Sequence, residues 1–169
     1  ANAFREYSKL PAKYINMLDG VIPSDIKKLL KKGNLSDALT ALSVASTDPR
    51  VKKIARVLAT AVGTTKVRFA DGADSFVSTD GTVNIGEGEI FVHTVLHEAT
   101  HSAVNKLLDK GSHPATKKIE TLFKEVKPLL DTAYGATDVK EFVSEAMSNS
   151  EFQQKLAGMN PDGSPINAL

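Results

Sequence analysis

No cysteine occurs in the 169 residues. That absence excludes disulfides, thiolate metal sites, iron–sulfur clusters and cysteine nucleophiles, and it fits a reducing compartment such as the cytoplasm. Long apolar runs are also missing. None approaches the roughly 20 residues that cross a bilayer. The first twenty residues carry charges and a proline instead of the unbroken apolar stretch of a signal peptide. Neither sign of charge dominates, since 21 basic and 20 acidic side chains leave a net charge of +1. A nucleic-acid-binding domain normally shows a strong basic excess, so neither nucleic acid nor membrane is expected as a partner. What remains is a chain with 41% hydrophobic and 24% charged residues, enough to build one ordinary domain with a real core.

The pattern along the chain predicts an α+β protein, mainly helical, with a small antiparallel or mixed sheet. Ser24 is expected to cap a short helix over residues 25–32, ended by Gly33. A second helix follows, with Asn34 or Ser36 near its start. Asp48-Pro49 signals entry to a third, which Gly63 ends. Alternation then begins in Lys66-Val67-Arg68-Phe69. Phe76-Val77-Ser78-Thr79 and Thr82-Val83-Asn84-Ile85 read as two further strands joined at Asp80-Gly81. A long helix is expected from about residue 89 to Lys110, with Gly111 as its stop. Another runs over residues 114–133 and breaks at Pro128. Asp138 or Thr137 caps a helix through Met147, and residues 151–156 add a last turn or two. The expected organisation is a helical segment 1–63 packed on or preceding a core of residues 64–157. An irregular tail, 158–169, follows.

His97-Glu98-Ala99-Thr100-His101 is an H-E-x-x-H motif inside the long predicted helix. Residues four apart lie on one helix face, so both imidazoles can reach one zinc ion at about 2 Å. Glu98 leaves the helix to one side, placed to take a proton from a zinc-bound water. Chance alone produces such a motif in well under ~1% of chains this long. Catalytic zinc needs a third protein ligand. Val104 and Leu107 stand where an extended H-E-x-x-H-x-x-G-x-x-H motif has its glycine and third histidine, which argues against a metzincin. His93 lies one turn before His97 and reads as a half-exposed or hydrogen-bonded helix histidine. His113 reads as a loop residue. Glu141 is the better candidate ligand, on a second helix packed against the first. Glu145, one turn on, can accept a hydrogen bond from the outer nitrogen of a ligating histidine. The reverse assignment of these two glutamates fits the same spacing.

Tyr134-Gly135-Ala136-Thr137-Asp138-Val139-Lys140-Glu141-Phe142-Val143-Ser144-Glu145-Ala146-Met147, taken with the H-E-x-x-H, resembles the anthrax lethal factor-like metallopeptidases, a gluzincin family that includes the clostridial Pro-Pro endopeptidases. The resemblance covers about residues 80–150. It implies a zincin-like fold, one catalytic zinc held by His97, His101 and Glu141, and a catalytic tyrosine at Tyr134. Gly33-Asn34-Leu35-Ser36-Asp37-Ala38-Leu39, with Asp48-Pro49-Arg50, resembles sequence that precedes metallopeptidase domains in large phage-encoded polyvalent proteins. That resemblance implies a domain of a longer, cytoplasmic or virion-associated protein, which would also explain a start at Ala1 instead of Met; a processed form fits that start equally.

These readings converge on a zinc-dependent endopeptidase acting on a protein or peptide. Glu98 is the expected general base. The Tyr134 hydroxyl is expected to donate to the oxygen that becomes negative in the tetrahedral intermediate. Thr82, Val83, Asn84, Ile85 and Gly86, directly before the helix, are expected to form an edge strand that pairs with an extended substrate. The alternative is a non-catalytic zinc-binding or protein-interaction module on the same fold. The segment 1–63 is either an inhibitory prodomain or an integral part, and its apolar helix faces favour the latter.

Overall fold

Capping chemistry sets the second and third of the described helices. The computed structural model describes residues 20–70, 74–88, 90–130 and 133–159. Helix α1 spans Ser24–Lys31. Ser24 is its first helical residue and not its cap, because Pro23 is extended and occupies the cap position without a side-chain acceptor. Gly33, at φ +82°, turns the chain. Asn34 then caps α2 (Leu35–Ala45) by accepting from the Asp37 amide. Asp48 caps α3 (Pro49–Val62) through the Arg50 amide at 2.8 Å, with Pro49 at the first helical position, where no N–H is needed. The Ser36 hydroxyl donates to the Ala59 carbonyl at 2.8 Å and ties α2 to α3.

Three short strands follow, β1 (Val67–Ala70), β2 (Phe76–Val77) and β3 (Val83–Gly86). They form a mixed sheet in the order β1-β3-β2. β1 runs parallel to β3 with Val67 opposite Val83, and β2 runs antiparallel to it with Phe76 opposite Asn84. The Asp80-Gly81 turn forms as expected. Asp80 Oδ1 accepts from the Ser78 hydroxyl and the Thr82 amide, and Gly81 adopts φ +84°.

The sheet order corrects the expectation for residues 82–86. β3 is central, not an edge, because β1 arrives from α3 and pairs on the side away from the hairpin. Thr82 belongs to the turn, its amide held by Asp80. Val83, Asn84, Ile85 and Gly86 are all buried. The fully buried Asn84 donates to the Phe76 and Thr82 carbonyls and accepts from Arg68 Nε. The Gly86 amide donates to the Ser75 hydroxyl at 2.9 Å. Val83 and Asn84 are paired to a strand on both sides, and Ile85 and Gly86 to β1 on one, with the Gly86 amide taken by Ser75, so residues 82–86 do not form the open edge expected for a substrate strand.

Helix α4 spans Val92–Lys110 and ends at Gly111, φ +62°. It starts later than expected because residues 90 and 91 are extended, with Ile90 and Val92 bonded to the backbone of Ile22 and Gly20. Helix α5 (Pro114–Val126) passes into a single 3₁₀ turn at Lys127–Leu129. Pro128 has no N–H to continue the α-helical ladder. A second 3₁₀ turn, Tyr134–Ala136, leads into α6 (Val139–Ser148). Asp138 caps α6 by accepting from the Lys140 and Glu141 amides at 2.8 and 3.0 Å. Asn149 ends it and caps α7 (Ser150–Ala157).

Two apolar clusters result. Ile26, Leu30, Leu39 and Leu58 of α1–α3 pack in one cluster with Val83 and Ile85 of β3 and with Val95, Leu96 and Ala99 of α4. The described part of segment 1–63 thus shares its core with the sheet and α4. Leu108, Val126, Leu130, Phe142, Phe152 and Leu156 make the other cluster. α4 contributes its first half to one and its last turns to the other, and residues 97–101 lie at the junction. Among the described residues no helix is long and apolar enough to cross a membrane. The N-terminal nineteen residues and all but two of the expected C-terminal tail lie outside the described residues.

Candidate metal centre

Two helical stripes with the same period build the site. On α4, His93, His97, His101 and Asn105 follow one another at intervals of four; on α6 and its cap, Glu141, Glu145 and Asn149 do the same. Each interval is one turn, so each set forms a row along its helix. The rows meet with the helices antiparallel. His93 Nε2 lies 3.0 Å from Glu145 Oε1, and His97 Nδ1 is also 3.0 Å from that oxygen. His97 Nε2 lies 3.1 Å from Glu141 Oε2, and His101 Nε2 is 3.3 Å from Glu141 Oε1. The two Nε2 atoms of His97 and His101 face each other at 3.1 Å. Beyond them, His101 Nδ1 is 3.2 Å from Asn105 Oδ1, and Asn149 Nδ2 donates to Glu145 Oε2 at 2.8 Å.

Burial makes this arrangement consequential. His97, Glu98, His101 and Glu145 are all buried. Burial works against a charge on His97, but hydrogen bonds to Glu141 and then Glu145 outweigh it and raise the pKa to about 9. Burial likewise works against the carboxylates, and the histidines reverse it. His101 and His97 hold Glu141 at about 2, and His93 and His97 hold Glu145 at about 2. Two imidazole nitrogens 3.1 Å apart can bond only if one carries a proton, because two lone pairs repel. Two buried atoms of the cluster, His97 Nδ1 and Glu141 Oε2, have no aligned hydrogen-bond partner among the described residues. Converging lone pairs with orphaned buried atoms form a site that could hold a cation. Two groups of three side chains could hold a metal ion, His97–His101–Glu141 and His93–His97–Glu145, and they share His97.

The other expected residues fall into place unevenly. Glu98 is buried, and its charge is felt by both His97 and Tyr134. The ring of Tyr134 lies 6.2 Å from that of His97, on the 3₁₀ turn that precedes α6. Partial burial raises its pKa first, and the charges of Glu141, Glu145 and Glu98 add to the shift. Gly135 explains how the turn sits there. A Cβ at this position would come within 2.5 Å of the Phe152 ring, so only glycine lets the turn lie flat on α7. His113 caps α5, its Nδ1 accepting from the Ala115 amide. Residues 82–86 serve the sheet.

Three residues of the cluster carry more than the sequence reading assigned to them. His93, which reads from sequence as a partly exposed or hydrogen-bonded helix histidine near the site, is bonded into the cluster through Glu145. Asn105 and Asn149 hold the outer atoms of His101 and Glu145. All three sit four residues from a motif residue, and that interval was the signal available. Comparison with protein-family models, with curated proteins and with solved structures found no match.

Proposed function

We propose that the chain is a zinc-dependent endopeptidase with a zincin-like arrangement of sheet, motif helix and glutamate helix. The observation that carries the reading is the convergence of His97 Nε2, His101 Nε2 and the Glu141 carboxylate, at 3.1–3.3 Å from one another. Ligands about 2.0–2.1 Å from a tetrahedral zinc stand about 3.3–3.4 Å apart, so the donors need only small adjustments to hold one. Two neutral nitrogens and one carboxylate form a donor set that suits zinc and leaves a fourth position open. Glu145, 3.0 Å from His97 Nδ1, orients that ring from behind, which favours Glu141 over Glu145 as ligand. The resemblance to the lethal factor-like metallopeptidases supports the same assignment.

When bound, zinc polarises a peptide carbonyl and brings the pKa of a coordinated water toward about 7. The chain's own groups do the rest. Glu98 accepts the proton of the attacking water and delivers it to the leaving amine. Tyr134 donates its hydroxyl hydrogen to the carbonyl oxygen as negative charge develops there. Although Tyr134 is an exposed residue, partial desolvation and the surrounding carboxylates raise its pKa and hold the phenol protonated, as a donor must be.

Metal analysis together with peptide hydrolysis tests this reading. About one zinc per chain is expected, lost in His101→Ala and Glu141→Ala. Glu98→Gln should keep the metal and lose about 10²–10⁴-fold in turnover, and Tyr134→Phe about 10²-fold. A chain that binds zinc but cleaves no peptide in a broad library, with Glu98→Gln indistinguishable from wild type, would instead be a zinc-binding interaction module. Loss of zinc in Glu145→Ala with retention in Glu141→Ala would exchange the two glutamates.

A further inference from the structure

His93 is not needed to complete the inner group of donors, yet it is not an idle helix residue. Its Nε2 lies 3.0 Å from Glu145 Oε1, the same oxygen that lies 3.0 Å from His97 Nδ1. The carboxylate is nearly buried and the imidazole mostly so, with side-chain exposures of 6% and 15%. A buried carboxylate keeps one orientation only if its lone pairs are occupied by fixed donors. Asn149 Nδ2 holds Oε2 at 2.8 Å, and His93 is the donor that holds Oε1 at 3.0 Å. All three groups are fixed in turn by helical backbone, His93 on α4 and Glu145 on α6, with Asn149 capping α7.

We propose that His93 is a positioning residue of this centre: its Nε2–H anchors the Glu145 carboxylate, which in turn holds His97 with Nδ1 protonated and Nε2 free to bind the metal. The inference rests on the assignment of His97, His101 and Glu141 as ligands. The neutral imidazole of His97 exists as two tautomers, and only the one with hydrogen on Nδ1 offers Nε2 as a ligand. The Glu145 carboxylate, 3.0 Å from Nδ1 although not aligned with it as a hydrogen bond, favours that tautomer by its charge. Without His93 the carboxylate can rotate toward Asn149, and His97 loses the acceptor that fixes it. Asn149 cannot test this cleanly because it also caps α7. His93 can.

The experiment measures zinc affinity by competition with a chromophoric chelator, and the visible spectrum of the cobalt-loaded protein, on the full chain. His93→Leu removes the donor. His93→Gln replaces it, since the glutamine amide nitrogen reaches about as far as imidazole Nε2. His93→Leu should weaken zinc about tenfold and shift the cobalt bands, and His93→Gln should stay within about threefold of wild type. In a Glu145→Ala background, His93→Leu should cost nothing further, because the group it acts through is gone. Wild-type affinity and spectrum in His93→Leu would overturn the proposal. So would an undiminished loss in the Glu145→Ala background, or a loss as complete as that of His101→Ala, which would make His93 a ligand. Failure of the ligand assignment itself reads differently: wild-type chain without zinc, or His101→Ala that keeps it, overturns both.

Discussion

Loading the centre with metal should expel a proton, and the structure sets how many and over which pH range. In the metal-free cluster the Glu141 and Glu145 carboxylates outweigh the effect of burial and raise the His97 pKa to about 9. At neutral pH His97 therefore carries a proton, and a metal ion that takes its Nε2 must displace it. Exchange of one proton makes the apparent affinity fall about tenfold for each pH unit below that pKa. At pH 7, about two units below, the affinity should lie about 100-fold under its alkaline plateau, or about 3 kcal/mol. Calorimetric zinc titrations between roughly pH 6 and 7, in two buffers of different ionisation enthalpy, read the proton count directly. Ionisation of metal-bound water, near about pH 7, adds about a tenth of a proton at pH 6 and about half at pH 7, so the count is read at the lower end of the window. About one proton released per metal and an affinity slope near one are expected. Glu145→Gln removes one of the two carboxylates that raise the pKa, so its proton release at pH 7 should fall below that of wild type. Metal binding with no proton release, and with equal affinity at both ends of the window, would refute the electrostatic reasoning.

Further expectations concern how the site is held. Gly135→Ala places a Cβ 2.5 Å from the Phe152 ring; overpacking of this kind costs about 1–3 kcal/mol, seen as a lower Tm, and it should reduce turnover by displacing Tyr134 while zinc affinity is kept. An unchanged Tm would mean that the turn does not rest on that ring. Asp138→Ala deprives the first turn of α6 of its cap and should cost about 1 kcal/mol in a denaturant titration, with a weaker hold on metal because Glu141 sits in that turn. The metal-free protein should be most stable between about pH 5 and 6.5. Glu141 and Glu145, held at about 2, contribute stability above the ordinary carboxylate pKa of 4.5 that is lost as the pH falls toward 2. His97, raised to about 9, contributes stability below 6.5 that is lost as the pH rises through 9. A Tm of the metal-free chain that kept climbing from pH 6.5 to 9 would contradict the His97 part.

Much of the fold is local and was legible from short-range chemistry. Asp48-Pro49, Asn34, Asp138 and Gly111 act within a few residues of themselves, so their helix ends fall where their own side chains and φ angles place them. The Asp80-Gly81 turn is equally local. The start of α4 was misread because residues 90 and 91 are drawn into extended pairing with residues 20–22, about seventy positions away. The central place of β3 was misread for the same kind of reason. A hairpin can be read from its turn, but a parallel partner such as β1 depends on how α1–α3 lie beneath the sheet, and no neighbouring residue signals that.

The site divides along the same line. Spacing by four put His93, His97, His101 and Asn105 on one face, and Glu141 and Glu145 on another, before any tertiary contact was known. A helix repeats every 3.6 residues wherever it is, so a stripe is a property of the sequence alone. The register between the stripes is not. Whether Glu141 meets His97 and His101, and Glu145 meets His93 and His97, depends on how far α6 slides along α4. The apolar cluster that joins Leu108 of α4 to Phe142 and Val143 of α6 sets that slide, together with a glycine turn seated on Phe152. The identity of the chemical groups was written in the chain; their partners were decided by packing between segments forty residues apart, because side-chain contacts of that range have no periodicity to betray them.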